Sequence, residues 1–347
     1  MRPALRGGLL AMVAAALFGL STPLVQRFGQ GLGAFTTAAL LYTGAAVAAL
    51  LLRRHSTREA RLQRSDFPTL LAMAAMGAFV GPVALAWGLQ RTSGVSASLM
   101  LSLEAVFTAL LAWRWYHEVL DRRVVVAVLL LLAGGAMLVA EQGMGGQIQM
   151  LGLLAVMTAT AAWGLDNALS RGVADRDPGA VVLVKAVLGC VATTGLAILF
   201  QEPMPGTAAA AALFAVGATG YGLSLRFYLL AQRAFGAART GSVFAFAPFI
   251  GALGAFAMGD RSGTWFMLVG GLLMVAGVVL HLAETHDHEH VHEALEHEHA
   301  HTHDDGHHAH DHATGTSPRS HSHPHRHESV RHAHGHVPDA HHQHRHS

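Results

Sequence analysis

The sequence predicts an all-α integral membrane protein of ten transmembrane helices, arranged as two inverted five-helix repeats and followed by a disordered cytoplasmic tail rich in histidine. Three observations support this prediction. Hydrophobic residues make up 52% of the chain and charged residues only 13%. The apolar residues form runs of about 20, which is the length that a helix needs to cross a bilayer. Of the 26 histidines, 23 lie after residue 283.

Ten apolar runs are long enough to span a bilayer. They are rich in Ala, Leu and Gly and lack the strict alternation of barrel strands, so helices are predicted. The connections are mostly short, and successive helices are therefore expected to be antiparallel neighbours. The predicted spans are 7–26, 33–52, 69–89, 95–115, 123–141, 149–169, 179–200, 208–230, 238–257 and 264–283.

Arginine gives the predicted orientation. Fourteen arginines fall at one set of helix ends, and only Arg27, Arg91 and Arg261 fall at the other. Because basic residues concentrate on the cytoplasmic side, both termini are predicted to be cytoplasmic, with the protein in the inner or plasma membrane. We expect no signal-peptide cleavage, since the first apolar run has a counterpart in the second half.

That counterpart indicates an internal repeat. Residues 18–24, FGLSTPL, correspond to residues 163–169, WGLDNAL, with Asp166-Asn167 in place of Ser21-Thr22. Ala105 similarly corresponds to Pro248. An odd number of helices per repeat gives the two copies opposite orientations, as in many secondary transporters. The predicted units are a first five-helix repeat, a second five-helix repeat and the tail, at 1–143, 149–283 and 284–347.

These residues resemble the EamA-like ten-helix transporters of the drug/metabolite transporter superfamily, over about residues 10–283. The resemblance implies a secondary carrier, often an exporter of small metabolites, with a central cavity between two bundles. The family's usual proline after the helix 4 glutamate is Ala105 here, whereas Pro248 keeps it in the second half. The matching stretches are FGLSTPL, SASLMLSLEAVFTALLAWRWYHE, AAWGLDNALSR and GYGLSLRFYLLAQRAFGAARTGSVFAFAPFIGAL.

Four charged residues lie at least three positions inside the ends of predicted spans, where such groups are costly and usually face a cavity or a partner. Asp166 and Lys185 flank one short loop on adjacent helices, so they are expected at one depth. They form either a structural ion pair or, with Asn167, a site for a polar substrate or a coupling proton. Glu104 is predicted to lie deeper and is the preferred proton site. Arg226 is read mainly as a residue that reaches the interface.

Trp163 and Tyr221 are expected to line the cavity or to act as interface anchors. No phosphate-binding Gly-Lys-Ser/Thr loop and no nucleophile constellation is present, so neither ATP-driven transport nor an enzyme is predicted. The single cysteine, Cys190, can form no internal disulfide. The expected partners are membrane lipid and a small-molecule or ion substrate, without nucleic acid, and a homodimer is compatible with these features.

Alternating His-x-His segments in the tail predict binding of Ni, Zn, Co or Cu at several interchangeable sites, because imidazole is the commonest ligand for these ions. No cofactor is required by this prediction. The alternatives are a solvating segment without a role and a pH sensor. The predicted ligands are His286, His288, His290, His292, His297, His299, His301, His303, His307, His308, His310, His312, His321, His323, His325 and His327.

Three functions follow from these patterns. The first is an ion-coupled exporter of a small metabolite or drug-like solute, whose tail binds or senses divalent metal. The second is a transporter of Ni, Co or Zn whose tail delivers the ion. The third is a non-transporting membrane metal sensor. The first is favoured over the second because the predicted spans contain few metal ligands.

Deleting residues 284–347 is expected to leave an inserted, folded protein, because the tail has almost no aliphatic side chains to contribute to a membrane core. Membrane fractionation and size-exclusion chromatography in detergent measure this. Loss of insertion in the truncated chain would place the boundary of the membrane part elsewhere.

Overall fold

Ten helices, some of them made of two or three segments, follow one another in the described residues between 3 and 282. The computed structural model describes residues 3–52, 60–116, 122–170, 173, 176–235, 237–282, 286–292, 295–301, 321–327 and 330–336. The helices are Pro3–Phe28 (α1), Ala34–Leu52 (α2), Phe67–Met73 with Ala74–Val80 and Gly81–Leu89 (α3), Gly94–Met100 with Leu101–Leu103 and Glu104–Tyr116 (α4), Arg122–Gly145 (α5), Gln147–Ser170 (α6), Pro178–Leu199 (α7), Thr207–Val216 with Gly217–Leu223 and Ser224–Phe235 (α8), Ala237–Phe244 with Ala247–Ala257 (α9), and Trp265–Leu282 (α10).

Eight of the described helices, α1 to α8, are apolar and long enough to cross a membrane. The remaining apolar helices are shorter, at Ala247–Ala257 and Trp265–Leu280. The predicted ninth span over 238–257 is divided into two helical parts, and its crossing of the membrane stays a prediction. Pro248 lies in the first turn of the second part of α9. Because proline has no N–H, it cannot continue the hydrogen-bond pattern back to Phe244, where the first part ends.

The two halves share their irregular turns. A π-helix occupies Ala74–Val80 in α3 and Gly217–Leu223 in α8, at a spacing of 143 residues. The 3₁₀ turn at Leu101–Leu103 interrupts α4 at the place that corresponds to the interruption of α9. The first half therefore has a break beside Ala105 although it has no proline there.

Helix packing follows the two-fold relationship that the repeat predicts. α1 packs on α8, and its counterpart α6 packs on α3, the counterpart of α8. α1 contacts α9 just as α6 contacts α4, while α2 pairs with α7 and α5 pairs with α10. Each half thus buries its helices mostly against the other half.

The outer surface of the bundle is apolar. Leu51, Ile198 and Leu253 are 78%, 73% and 70% exposed. Large exposed apolar surfaces are rare on soluble monomers, so this surface is suited to lipid. The chain is a multi-pass membrane protein.

The described part of the tail contains four strands, which differs from the disorder that the composition predicts for these segments. The alternating His-x-His sequence has the two-residue period of a strand, which is the physical reason for the difference. β1 pairs with β4 and β2 pairs with β3, both antiparallel, so that His288 is opposite His334 and His299 is opposite His323. The strands are His286–His292 (β1), Leu295–His301 (β2), His321–His327 (β3) and Val330–His336 (β4).

Substitution of Gly134 is expected to destabilise the contact between α5 and α10. A Cβ at Gly134 would lie 2.6 Å from the carbonyl oxygen of Gly270. Gly134→Leu should therefore lower the free energy of unfolding by about 1–3 kcal/mol, the usual cost of overpacking, measured as a lower Tm in detergent. Gly195→Leu is the control because a Cβ there meets nothing within 4 Å. An equal loss in both variants would contradict the close approach.

Candidate functional site

Asp166 on α6 and Lys185 on α7 form a buried ion pair. The Lys185 ammonium nitrogen lies 2.5 Å from Oδ2 and 2.8 Å from Oδ1 of Asp166. Each residue is only 8% exposed. The sequence places the two at one depth because they flank a short loop, and the structure brings them into direct contact. The two opposite charges therefore neutralise each other inside the bundle.

Glu104 and Asn167 form a second polar contact beside this pair. The amide of Asn167 donates a hydrogen bond of 2.5 Å to Oε1 of Glu104. α6 approaches α4 closely here, since a Cβ at Gly164 would lie 2.7 Å from Cβ of Phe107. A Cβ at Gly164 would lie 3.4 Å from the carbonyl oxygen of Glu104, so Glu104 lies close to the level of Asp166, and its deeper position in the membrane stays a prediction. α4 continues past Glu104 to Tyr116 whereas α6 ends at Ser170, so the two helices are staggered along their length.

The carboxylate of Glu104 has no cationic partner among the described residues. Its one described side-chain hydrogen bond comes from the neutral amide of Asn167. Asp166, by contrast, is neutralised by Lys185. Glu104 is half-buried and Asn167 is exposed, and an unpaired carboxylate within a membrane span is costly to keep charged. Asp166 thus has a fixed counter-charge, whereas Glu104 has none among the described residues.

The backbone of α3 holds the aromatic side chains next to the ion pair. The carbonyl oxygen of Gly77 accepts hydrogen bonds from the Tyr42 hydroxyl at 2.6 Å and from Trp163 Nε1 at 3.0 Å. A Cβ at Gly77 would overlap the carboxylate of Asp166. The sequence indicates only that Gly77 and Gly81 permit close helix packing, and it gives no signal for Tyr42.

An aromatic cluster fills the middle of the bundle. The ring of Phe18 lies 5.8 Å from that of Trp163 and 5.9 Å from that of Tyr221, and Tyr42 lies 5.8 Å from Tyr221. Trp163, Tyr221 and Tyr42 are all buried. Trp163 and Tyr221 therefore pack inside the protein beside the charged residues, as the packing alternative predicts.

Only one of the two repeat-related places carries charged side chains. A Cβ at Gly19 would overlap the carbonyl oxygen of Ala247, and one at Gly164 would lie 3.4 Å from that of Glu104. Ala247 is thus the counterpart of Glu104, as Ser21-Thr22 is of Asp166-Asn167. At the equivalent place beside α1 and α9, the three corresponding residues are Ser21, Thr22 and Ala247. None of these side chains is ionisable.

Arg226 does not join the site. It is half-buried in the last segment of α8, two residues after Ser224, whose hydroxyl donates to the carbonyl oxygen of Ala14. No contact with Asp166 or Glu104 is found in the described part of the chain.

Two polar links between loops and helix ends were not predicted. Arg176 Nε lies 2.8 Å from Oδ2 of Asp66, which joins the start of α3 to the segment before α7. At the opposite end of α7, the carboxylate of Glu202 accepts hydrogen bonds from the backbone N–H groups of Phe35 and Thr36 at 3.2 and 2.6 Å. Sequence spacing gives no signal for either, because the partners are far apart in the chain.

The predicted metal ligands divide into two groups. Eleven lie on the strands β1, β2 and β3, and the other five lie outside the described residues. Within the residues that the structure describes, no group of three or more His, Cys, Asp or Glu side chains is arranged for a metal ion. The five are His303, His307, His308, His310 and His312.

A duplicated helical membrane body with buried, paired charges at the contact between its halves defines a membrane transporter. The chain belongs to the EamA-like transporter family, whose model matches residues 5–140 and again residues 150–283. The match covers both halves, as the repeat in the sequence predicts.

Two further comparisons agree with this family. An uncharacterized transporter of Methanothermobacter thermautotrophicus strain Delta H is 25% identical over 304 residues, covering 79% of this chain and 85% of the relative. A chain in a crystal structure is 19% identical to this one and superposes with a TM-score of 0.60. The match covers 79% of this chain and 95% of the other. The second likeness shows a shared fold.

Replacing one partner of the ion pair is expected to destabilise the protein more than replacing both. Lys185→Met leaves the Asp166 carboxylate buried without a counter-charge, which should cost about 3–5 kcal/mol. The double variant with Asp166→Leu should recover most of that loss. Thermal unfolding of both proteins in detergent measures this, and a double variant less stable than Lys185→Met would contradict the pairing.

Proposed function

We propose that the protein is a secondary transporter that exports a small metabolite or drug-like solute across the cell membrane by coupling to an ion. The observation that supports this most directly is the cluster formed by Asp166, Lys185, Glu104 and Asn167. Its side chains come from α4, α6 and α7, and it lies where α6 of the second repeat packs on α3 and α4 of the first. In duplicated transporters this is the region where substrates and coupling ions bind.

In this proposal α9 and α10 complete ten spans, and both termini are cytoplasmic. The arginine distribution supports the orientation. The interruption of α9 does not oppose it, since broken helices at membrane depth are tolerated where they are buried in protein. Asp166 and Lys185 then lie toward the cytoplasmic ends of α6 and α7, and Ser21 lies toward the opposite face.

Glu104 is the proposed coupling site. Its partner is a neutral amide, so its charge is open to compensation by a proton or by a cationic group of the solute. The Asp166–Lys185 pair is the proposed closing contact on the cytoplasmic side. Moving α6 away from α7 would have to break this pair. Opening the cytoplasmic side would therefore leave the charges of Asp166 and Lys185 without each other's compensation.

The tail is proposed to bind or sense Ni, Zn, Co or Cu, and no metal is required as a cofactor. Composition supports this proposal, together with the strand register that places histidines opposite histidines. A metal carrier is less well supported, because the described helices contain no cluster of metal ligands. A sensor without transport activity would not need a duplicated bundle around buried charges.

A flux assay in vesicles tests the proposed function. Ni, Zn and Co would be compared with amino acids as solutes, under an imposed pH gradient, with full-length protein and with the chain ending at residue 283. We expect solute flux that persists without the tail and responds to the gradient. Metal flux in the tail-less chain, with no flux of organic solutes, would instead support a metal carrier.

Glu104→Gln is expected to lower the initial rate of flux driven by the pH gradient at least tenfold. The reason is that an amide cannot exchange a proton in this range. The control is Glu141→Gln. Glu141 is a buried carboxylate on α5 that accepts a hydrogen bond from Thr264 and lies outside the cluster. Gradient-driven flux at the wild-type rate in Glu104→Gln would remove Glu104 from the coupling role.

A further inference from the structure

The π-helix in α3 supplies both an acceptor and a space to the site. Gly77 is the central residue of Ala74–Val80. Its carbonyl oxygen receives hydrogen bonds from side chains of two other helices, Tyr42 on α2 and Trp163 on α6. π-helical turns are rare and occur often at functional sites. Here the turn joins three helices at one backbone oxygen.

Gly77 also leaves room for the carboxylate of Asp166. A Cβ at this position would overlap both Oδ2 and Cγ of Asp166. One turn further along α3, a Cβ at Gly81 would lie 2.7 Å from Nε1 of Trp163. Asp166 and Trp163 on α6 thus rest against Gly77 and Gly81.

The second π-helix shows what this arrangement does without charge. Gly220 is the central residue of Gly217–Leu223, and its Cβ would lie 2.7 Å from Cβ of Ser21. Ser21 is the counterpart of Asp166 in the repeat. The same local structure therefore accommodates a hydroxyl in one half and a paired carboxylate in the other.

We infer that Gly77 is a positioning residue for the site: its carbonyl oxygen holds Trp163, and its missing side chain lets Asp166 reach Lys185. The atom that a side chain at residue 77 would displace, Asp166 Oδ2, is the atom that lies 2.5 Å from the lysine nitrogen. Its importance for transport rests on the proposed function. The contact between Asp166 and Lys185 itself can be measured without any flux.

Lys185 provides a specific reporter, because it is the only lysine in the chain. The rate at which a membrane-permeant amine reagent modifies Lys185 would be measured by peptide mass spectrometry on the full-length protein in lipid vesicles. We expect Gly77→Ala to raise this rate at least about fivefold, because displacing Asp166 uncovers the Lys185 nitrogen that the reagent must reach. Asp166→Ala gives the rate for an unpaired lysine, and adding Gly77→Ala to it should cause no further rise.

Two matched glycine variants separate positioning from general disruption. Gly220→Ala introduces a comparable clash against Ser21, and Gly195→Ala introduces a methyl group into open space. Both should leave modification of Lys185 at the wild-type rate. An unchanged rate in Gly77→Ala, or an equal rise in Gly220→Ala, would overturn the inference.

Tyr42→Phe covers the case in which Gly77→Ala fails to insert. It removes one hydrogen bond to the Gly77 carbonyl oxygen at nearly constant side-chain volume. We expect the rate of Lys185 modification to rise about twofold. A wild-type rate in this variant counts against the inference. If these responses appear while no solute is transported by the wild-type protein, the proposed function fails and the positioning role of Gly77 stands.

Discussion

A carboxylate and an ammonium buried together in a membrane bundle must remain in contact, and the rest of the site depends on this contact between Asp166 and Lys185. Removing either charge from water costs several kcal/mol, which only close pairing offsets. The separation of 2.5 Å fixes α6 against α7. α3 must then leave space for the carboxylate, which it does at Gly77. Because Asn167 follows Asp166 on the same helix, its contact with Glu104 is fixed by the same register.

The architecture is duplicated, but its chemistry is not. Both halves have a π-helix, a broken helix and a close glycine contact at corresponding places. Only the second copy of the first helix carries Asp166 and Asn167, where the first copy has Ser21 and Thr22. A movement that parts α6 from α4 and α7 must therefore expose charge, while the equivalent movement of α1 exposes hydroxyls. Duplication thus gives two comparable movements with different electrostatic costs.

The sequence predicts the features that depend on local pattern. Eight spans follow from apolar run length, and the proximity of Asp166 to Lys185 follows from the short loop between them. Contacts between distant helices could not be predicted in this way. The spacing of residues does not reveal that α6 lies between α3 and α4, so the Glu104–Asn167 and Gly77–Trp163 contacts were missed. Pro248 did carry a signal for the break in α9, but the break beside Ala105 has no such residue and depends on packing.

The difference between the two carboxylates separates their roles. Asp166 is neutralised by a fixed ammonium, so its charge need not change while α6 and α7 stay together. Glu104 faces only an amide, so its charge has no fixed compensation among the described residues. In the proposed function, a proton and a cationic group of a solute would compete for the same carboxylate oxygen, and occupancy by one would exclude the other. Such competition at a single group would link the movement of the two species without a further coupling device. The ion pair would keep α6 in the position where Asn167 holds Glu104 for that exchange.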